Sequence, residues 1–137
     1  MKKLIVMLAM IIMSVVSMAD NLAEKGIGYL EVLGYKVESI DNGYSIKDVD
    51  ANANCRILTF KTSSKAREFF FEEETKLEDE GYVSLSYDKG SMVWANKKTM
   101  RITGYSATDC DVFTFEQDIS GKDSKVAEDV VRAIGLK

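Results

Sequence analysis

The sequence predicts an α+β fold: a single domain with a mostly antiparallel sheet and about three helices, in the order α-β-β-β-α-β-β-β-β-α. Three observations predict it. Asn42-Gly43 lies between two runs of strand character, the strongest short hairpin signature. Asp88-Lys89-Gly90 separates two further runs of alternating apolar residues. Segments with helical periodicity, each closed by a glycine, stand before, between and after the strand-rich parts. Hairpins dominate such an order, so the helices are expected to pack on one side of an antiparallel sheet.

The first helix opens at Asn21, a capping residue with Glu24 at the capping-box position. Leu22, Gly26, Tyr29, Leu30 and Leu33 recur near helical spacing, and Gly34 stops it. Gly26 and Gly28 each weaken this helix by about 1 kcal/mol against Ala. They either allow close packing or make it the least stable element. A two-residue Asn42-Gly43 turn then pairs Asp41 with Tyr44 and sets Glu38 opposite Lys47, an opposite-charge pair. Tyr35 and Val37 share a face with Tyr44 and Ile46 in that register. Cys55 to Thr62 is a third strand, with Leu58 and Phe60 on one face and Cys55 and Ile57 on the other.

Ser63 or Ser64 caps the second helix, which runs to about Glu80 with Gly81 beyond it. Tyr82–Tyr87 and Ser91–Ala95 form the second hairpin, with Val83, Leu85 and Tyr87 sharing a face with Met92 and Trp94. Thr99–Tyr105 and Cys110–Gln117 complete the strands. The last helix opens near Asp123 or Ser124, buries Val126, Val130, Val131 and Ile134, and ends at Gly135.

The N-terminus has the pattern of an export signal. Lys2 and Lys3 precede an unbroken apolar run from Leu4 to Met13, extended by Val15 and Val16, and Ser17-Met18-Ala19 supplies the small residues of a cleavage site. The run is shorter than the ~18–20 residues of a spanning helix. Cleavage is therefore expected after Ala19. Residues 1–19 are the signal peptide, and residues 20–137 are one globular domain in the periplasm or outside the cell, with no membrane span. The formal charge of the 137-residue chain is −4, and losing Lys2 and Lys3 makes the domain more acidic still. Such a surface repels nucleic acid, and Lys97-Lys98, the longest basic run, is too short to reverse that.

The chain contains no His, so it has no imidazole general base and no His metal ligand. Ser-His and Cys-His catalysis and the common zinc sites are excluded unless a partner supplies the group. The only two cysteines, Cys55 and Cys110, are expected to form a disulfide in an oxidising compartment. A bridge closing that loop contributes about 4 kcal/mol through chain entropy.

The second helix contains a conflict of pattern. At 100° per residue Ala66, Phe70 and Leu77 fall in one narrow arc, and Glu73 falls in it too, while Phe71 points about 120° away. One account pairs Glu73 with a Lys or Arg and covers Phe71 with a loop or the first helix. The other makes Phe71 part of a contact patch over a buried Glu73. Glu72-Glu73-Glu74 and Glu78-Asp79-Glu80 make this helix acidic, which is the composition of a solvated face or of a surface that takes a basic partner.

Two other acidic stretches are weaker signals. Asp48, Asp50, Asn52 and Asn54 alternate like the start of a calcium loop, but Ala53 and Thr59 stand where an EF-hand needs Gly and Glu, so a polar turn is expected. Asp109 and Asp111 share one face if their segment is a strand, the arrangement a glycoside hydrolase would need. The leading functional reading is a small exported binding or interaction protein, with inhibitors of secreted enzymes within that class. Its partner is a protein in the cell envelope or outside it, met through Phe71, Glu72, Glu73 and Glu74. No cofactor and no metal are expected. A small carboxylate-dependent hydrolase and a structural envelope protein are the alternatives.

Overall fold

The computed structural model describes residues 22–88 and 90–136. The predicted signal peptide and the Asn21 cap lie outside them. The described chain runs α1 (Glu24–Val32), β1 (Lys36–Ile40), β2 (Gly43–Asp48), β3 (Ala53–Thr59), α2 (Ser63–Asp79), β4 (Val83–Asp88), β5 (Ser91–Asn96), β6 (Arg101–Thr108), β7 (Asp111–Asp118) and α3 (Val126–Ile134). The predicted order of elements holds. Thr62 caps α2, accepting from the Lys65 N–H at 3.1 Å, one residue ahead of the expected serines. Gly34 and Gly81 follow α1 and α2 at φ +95° and +88°, the left-handed conformation that only glycine adopts without strain.

The strands form one seven-stranded sheet in the order β1-β2-β3-β7-β6-β5-β4, every neighbouring pair antiparallel. Two meanders make it, β1-β2-β3 and β4-β5-β6-β7. The α2 crossover carries the chain to the far edge, and the second meander returns to pair β7 with β3.

The helices do not pack on one side. α1 and α3 cover one face over β1, β2, β3 and β7, where Leu30, Ile46, Cys55, Ile57, Phe113, Phe115 and Val130 make one core. α2 covers the opposite face, where Leu58, Phe70, Leu77, Trp94, Tyr105 and Val112 make a second. The reason is local. Ile57 and Leu58 are consecutive and both buried, as are Val112 and Phe113, so β3 and β7 are apolar on both faces and need a cover on each.

The disulfide is not formed, and the register explains why. Cys55 stands opposite Phe115, whereas Cys110 precedes Asp111, the partner of Thr59. The Phe60 N–H donates to the Cys110 carbonyl at 2.8 Å, which places Cys110 level with Phe60. Five residues of strand separate the two levels, roughly 16 Å. A disulfide tolerates Cα atoms no more than ~7 Å apart. Both cysteines are free thiols, Cys55 buried and Cys110 partly exposed at the β6–β7 turn.

The first hairpin is two residues out of the expected register. Ile40 pairs with Gly43 and Lys36 with Lys47, so Asp41-Asn42 is the turn. Glu38 pairs with Lys36 at 3.1 Å instead of Lys47. Gly43 has no positive φ. It is needed because a Cβ there would lie 1.7 Å from the Ile57 carbonyl oxygen. A shift of two preserves the faces, so Val37, Tyr44 and Ile46 still point together. Gly26 also serves close approach: a Cβ on it would lie 2.5 Å from the Ala133 carbonyl oxygen of α3.

Candidate functional site

α2 lies along the sheet with two different flanks. Its buried line is Ala66, Phe70 and Leu77. On the flank toward β3, Phe69 stacks on Phe60 at 5.3 Å between ring centroids. Glu73 on this flank accepts the Tyr105 hydroxyl at 3.0 Å and faces the Arg56 guanidinium at 3.7 Å. Arg56 is held in turn by its Nε donating to Thr114 Oγ1 at 3.2 Å. Burial first, and the Glu73 carboxylate second, push the Tyr105 hydroxyl well above the usual tyrosine range.

The flank toward β4 is open. Phe71 is 49% exposed and sets its ring edge-on to Phe70, which is 3% exposed. Tyr87 of β4 approaches Phe70 at 6.4 Å and donates its hydroxyl to Glu74 Oε1 at 3.2 Å. Partial burial and Glu74 raise the Tyr87 pKa. Between α2 and the β4–β5 and β6–β7 turns runs a groove of about 750 Å³ lined by Ser63, Arg67, Phe70, Phe71, Tyr87 and Asp109. It has an apolar wall and one charge of each sign at its polar end.

The expected contact residues divide between these flanks. Phe71 and Glu74 join the open one, Glu72 is exposed, and Glu73 belongs to the closed one, paired with Arg56. Phe71 is only half covered, and its ring meets Phe70 edge-on. Tyr87 completes the open surface; Val83, Leu85 and Tyr87 were expected to share one face with Met92 and Trp94. Only Tyr87 pairs with Met92 on that face. A bulge between Ser84 and Ser86 takes Leu85 out of the ladder and turns Val83 to the side of Ala95. All three are at least about half exposed. Alternation with serine in Val83-Ser84-Leu85-Ser86 was the available signal of an edge strand.

The remaining acidic candidates are occupied locally. Asp109 is a turn residue at φ +53°, not a strand residue, so it does not share a strand face with Asp111. Asp109 lines the groove, while Asp111 is buried and accepts the Thr59 hydroxyl at 2.8 Å. Burial is the main cause that raises the Asp111 pKa, with the Thr59 bond opposing it and Asp109 adding to it. Asp48 accepts the Ala51 N–H and the Ser124 hydroxyl at 3.4 and 2.8 Å, so its segment is a polar turn. Among the described residues no group of three or more Cys, Asp and Glu side chains is placed to hold a metal ion. No described helix is long and apolar enough to cross a membrane.

No protein-family model matches this chain, and no curated protein matches it. Among solved structures it is similar to the extracellular domain of PknH from Mycobacterium tuberculosis, at 13% identity and a TM-score of 0.40, over 90% of this chain and 77% of that one.

Proposed function

We propose that this chain is an exported binding protein whose contact surface is the open flank of α2 with β4. The observation that carries the reading is the half-exposed Phe71, seated on Phe70 beside Tyr87 and framed by Glu72 and Glu74. An aromatic pair on a rigid helix and strand loses little side-chain entropy on binding, the usual property of an interface anchor. The acidic frame favours a basic protein surface in the envelope or outside the cell. A secreted enzyme held by an inhibitor is one such partner. The hydrolase reading has less support, because the Asp111 carboxylate turns toward Thr59 and only Asp109 lines the groove.

The test has two parts. The N-terminus of the chain recovered from the exporting cell should begin at Asp20; retention of an intact chain in the cytoplasm would overturn export. The processed chain, immobilised, should hold a basic envelope or secreted protein. That binding should weaken as salt rises and fall with Phe71→Ser and with Glu74→Lys. Binding indifferent to both substitutions would remove this surface from the function.

A further inference from the structure

The sheet has two edges, and they are built differently. Edge strands attract other strands, and proteins blunt them with charge, proline, bulges or short length. β1 carries Lys36 and Glu38, joined in an ion pair at 3.1 Å. β4 reads Val-Ser-Leu-Ser-Tyr-Asp, with no lysine, arginine or proline, and exposes Val83, Leu85 and Tyr87. Its one irregularity, the bulge between Ser84 and Ser86, divides the edge into two short runs. That leaves room for a short added segment and works against a long continuous ladder with a second sheet.

Above this edge lies the open flank of α2. Phe71, Glu74 and Glu78 recur at i, i+3 and i+7, one stripe of the helix, and Glu74 already reaches Tyr87 of β4. A strand laid beside β4 would carry alternate side chains up toward this stripe, and the others down beside Val83 on the opposite face. The stripe offers an aromatic face and carboxylates to the first set, which suits lysine or arginine. Val83 offers an apolar neighbour to the second. A second copy of this chain fits poorly, because it brings the same net negative charge and the same acidic stripe to the contact.

The geometry points to strand addition: the β4 edge takes an extended segment of a partner protein in which apolar and basic residues alternate. This rests on the binding reading above and assigns it a mode and a partner chemistry.

The experiment uses the processed chain and a capped six-residue peptide of alternating lysine and valine. The peptide should bind, slow hydrogen exchange at the outward amides of β4, and lose affinity with salt. The alternating glutamate-valine peptide should not bind. Two N-methylated forms then separate the modes. Methylation of the peptide amides on the β4-facing side should weaken binding by about tenfold or more, and methylation of the opposite side should leave it unchanged. Equal binding of both forms, with loss on Phe71→Ser, would overturn strand addition while leaving the side-chain patch standing. Failure of the lysine-valine peptide to bind would overturn the partner chemistry. A dimer whose β4 amides are protected without any peptide would replace it with self-pairing.

Discussion

The Tyr105 hydroxyl donates to Glu73 Oε1 at 3.0 Å, tying β6 to the middle of α2 across 32 residues of sequence. With Arg56 at 3.7 Å, the carboxylate joins α2, β3 and β6, three elements far apart in sequence. Glu73→Ala leaves the Tyr105 hydroxyl unpaired, and a buried group without a partner costs about 1–3 kcal/mol. Glu73→Gln keeps an acceptor for Tyr105 and should cost less than half as much. Urea midpoints of the two variants against the parent measure this. Equal losses would mean that the charge on Arg56, and not the tyrosine bond, sets the contribution.

The same tyrosine sets an alkaline limit. Burial, then Asp129 for Tyr35 and Glu73 for Tyr105, raise both hydroxyls above their unfolded value of 10.0. A group whose pKa is raised in the folded state contributes fully below the unfolded pKa and loses that contribution as pH climbs toward the folded one. Stability should therefore hold to about pH 10 and fall above it. Tyr105→Phe should lower the urea midpoint at pH 8 and reduce the fall between pH 10 and 11. An unchanged alkaline slope in Tyr35→Phe,Tyr105→Phe would assign the limit to other groups.

Gly43 and Gly28 should respond to alanine with opposite signs. At Gly43 the new methyl would meet the Ile57 carbonyl oxygen at 1.7 Å, a backbone atom that cannot rotate away. Gly43→Ala must displace β2 from β3 and should cost at least about 2 kcal/mol. At Gly28 nothing lies within 4 Å, and the residue is inside α1. Gly28→Ala should stabilise by about 0.5–1 kcal/mol through helix propensity alone. Thermal melts of the two variants decide it.

These glycines also show where the sequence was legible. Alternation and helical period located every element, because both follow from which face is buried. The Asn42-Gly43 turn was misplaced by one residue, and the pairing register by two, because a glycine chosen for close approach to Ile57 reads the same as one chosen for a left-handed turn. The layering was hidden because periodicity shows that β3 is apolar on both faces without saying which helix lies on which. The arc of α2 placed Glu73 inward correctly, but its partners Arg56 and Tyr105 are 17 and 32 residues away in sequence. The proposed contact surface was half legible. Phe71 stood out as misplaced on its own helix, while Leu85 and Val83 were turned outward by a bulge that leaves no mark on the alternating pattern.

Phe70 and Phe71 are consecutive, and the structure gives them opposite duties. Phe70 is buried between α2 and the sheet, so Phe70→Ala should cost about 3–5 kcal/mol. Phe71 is half exposed and meets Phe70 edge-on, so Phe71→Ala should cost about 1 kcal/mol. Denaturant unfolding separates them. A loss above 3 kcal/mol at Phe71 would make it a core residue and remove the anchor from the proposed interface.

The two thiols should never join within one folded chain. Cys55 is fully buried among Ile46, Ile57 and Phe115, and burial raises its pKa, which suppresses the reactive thiolate. Cys110 is reachable at the β6–β7 turn, although partial burial and then Asp109 and Asp111 raise its pKa as well. A thiol reagent at pH 8 should label one cysteine slowly in the native protein and both after unfolding. Cys110→Ser should leave the melting temperature unchanged under oxidising and reducing conditions alike. Cys55→Ser puts a hydroxyl without a designed partner into the core and should cost about 1–3 kcal/mol. Intact mass under non-reducing conditions gives the direct check. A species two hydrogens lighter with native stability would require β3 and the β6–β7 turn to pair in a register about five residues from the one described, and the Ile57–Phe113 and Cys55–Phe115 pairs would be lost with it.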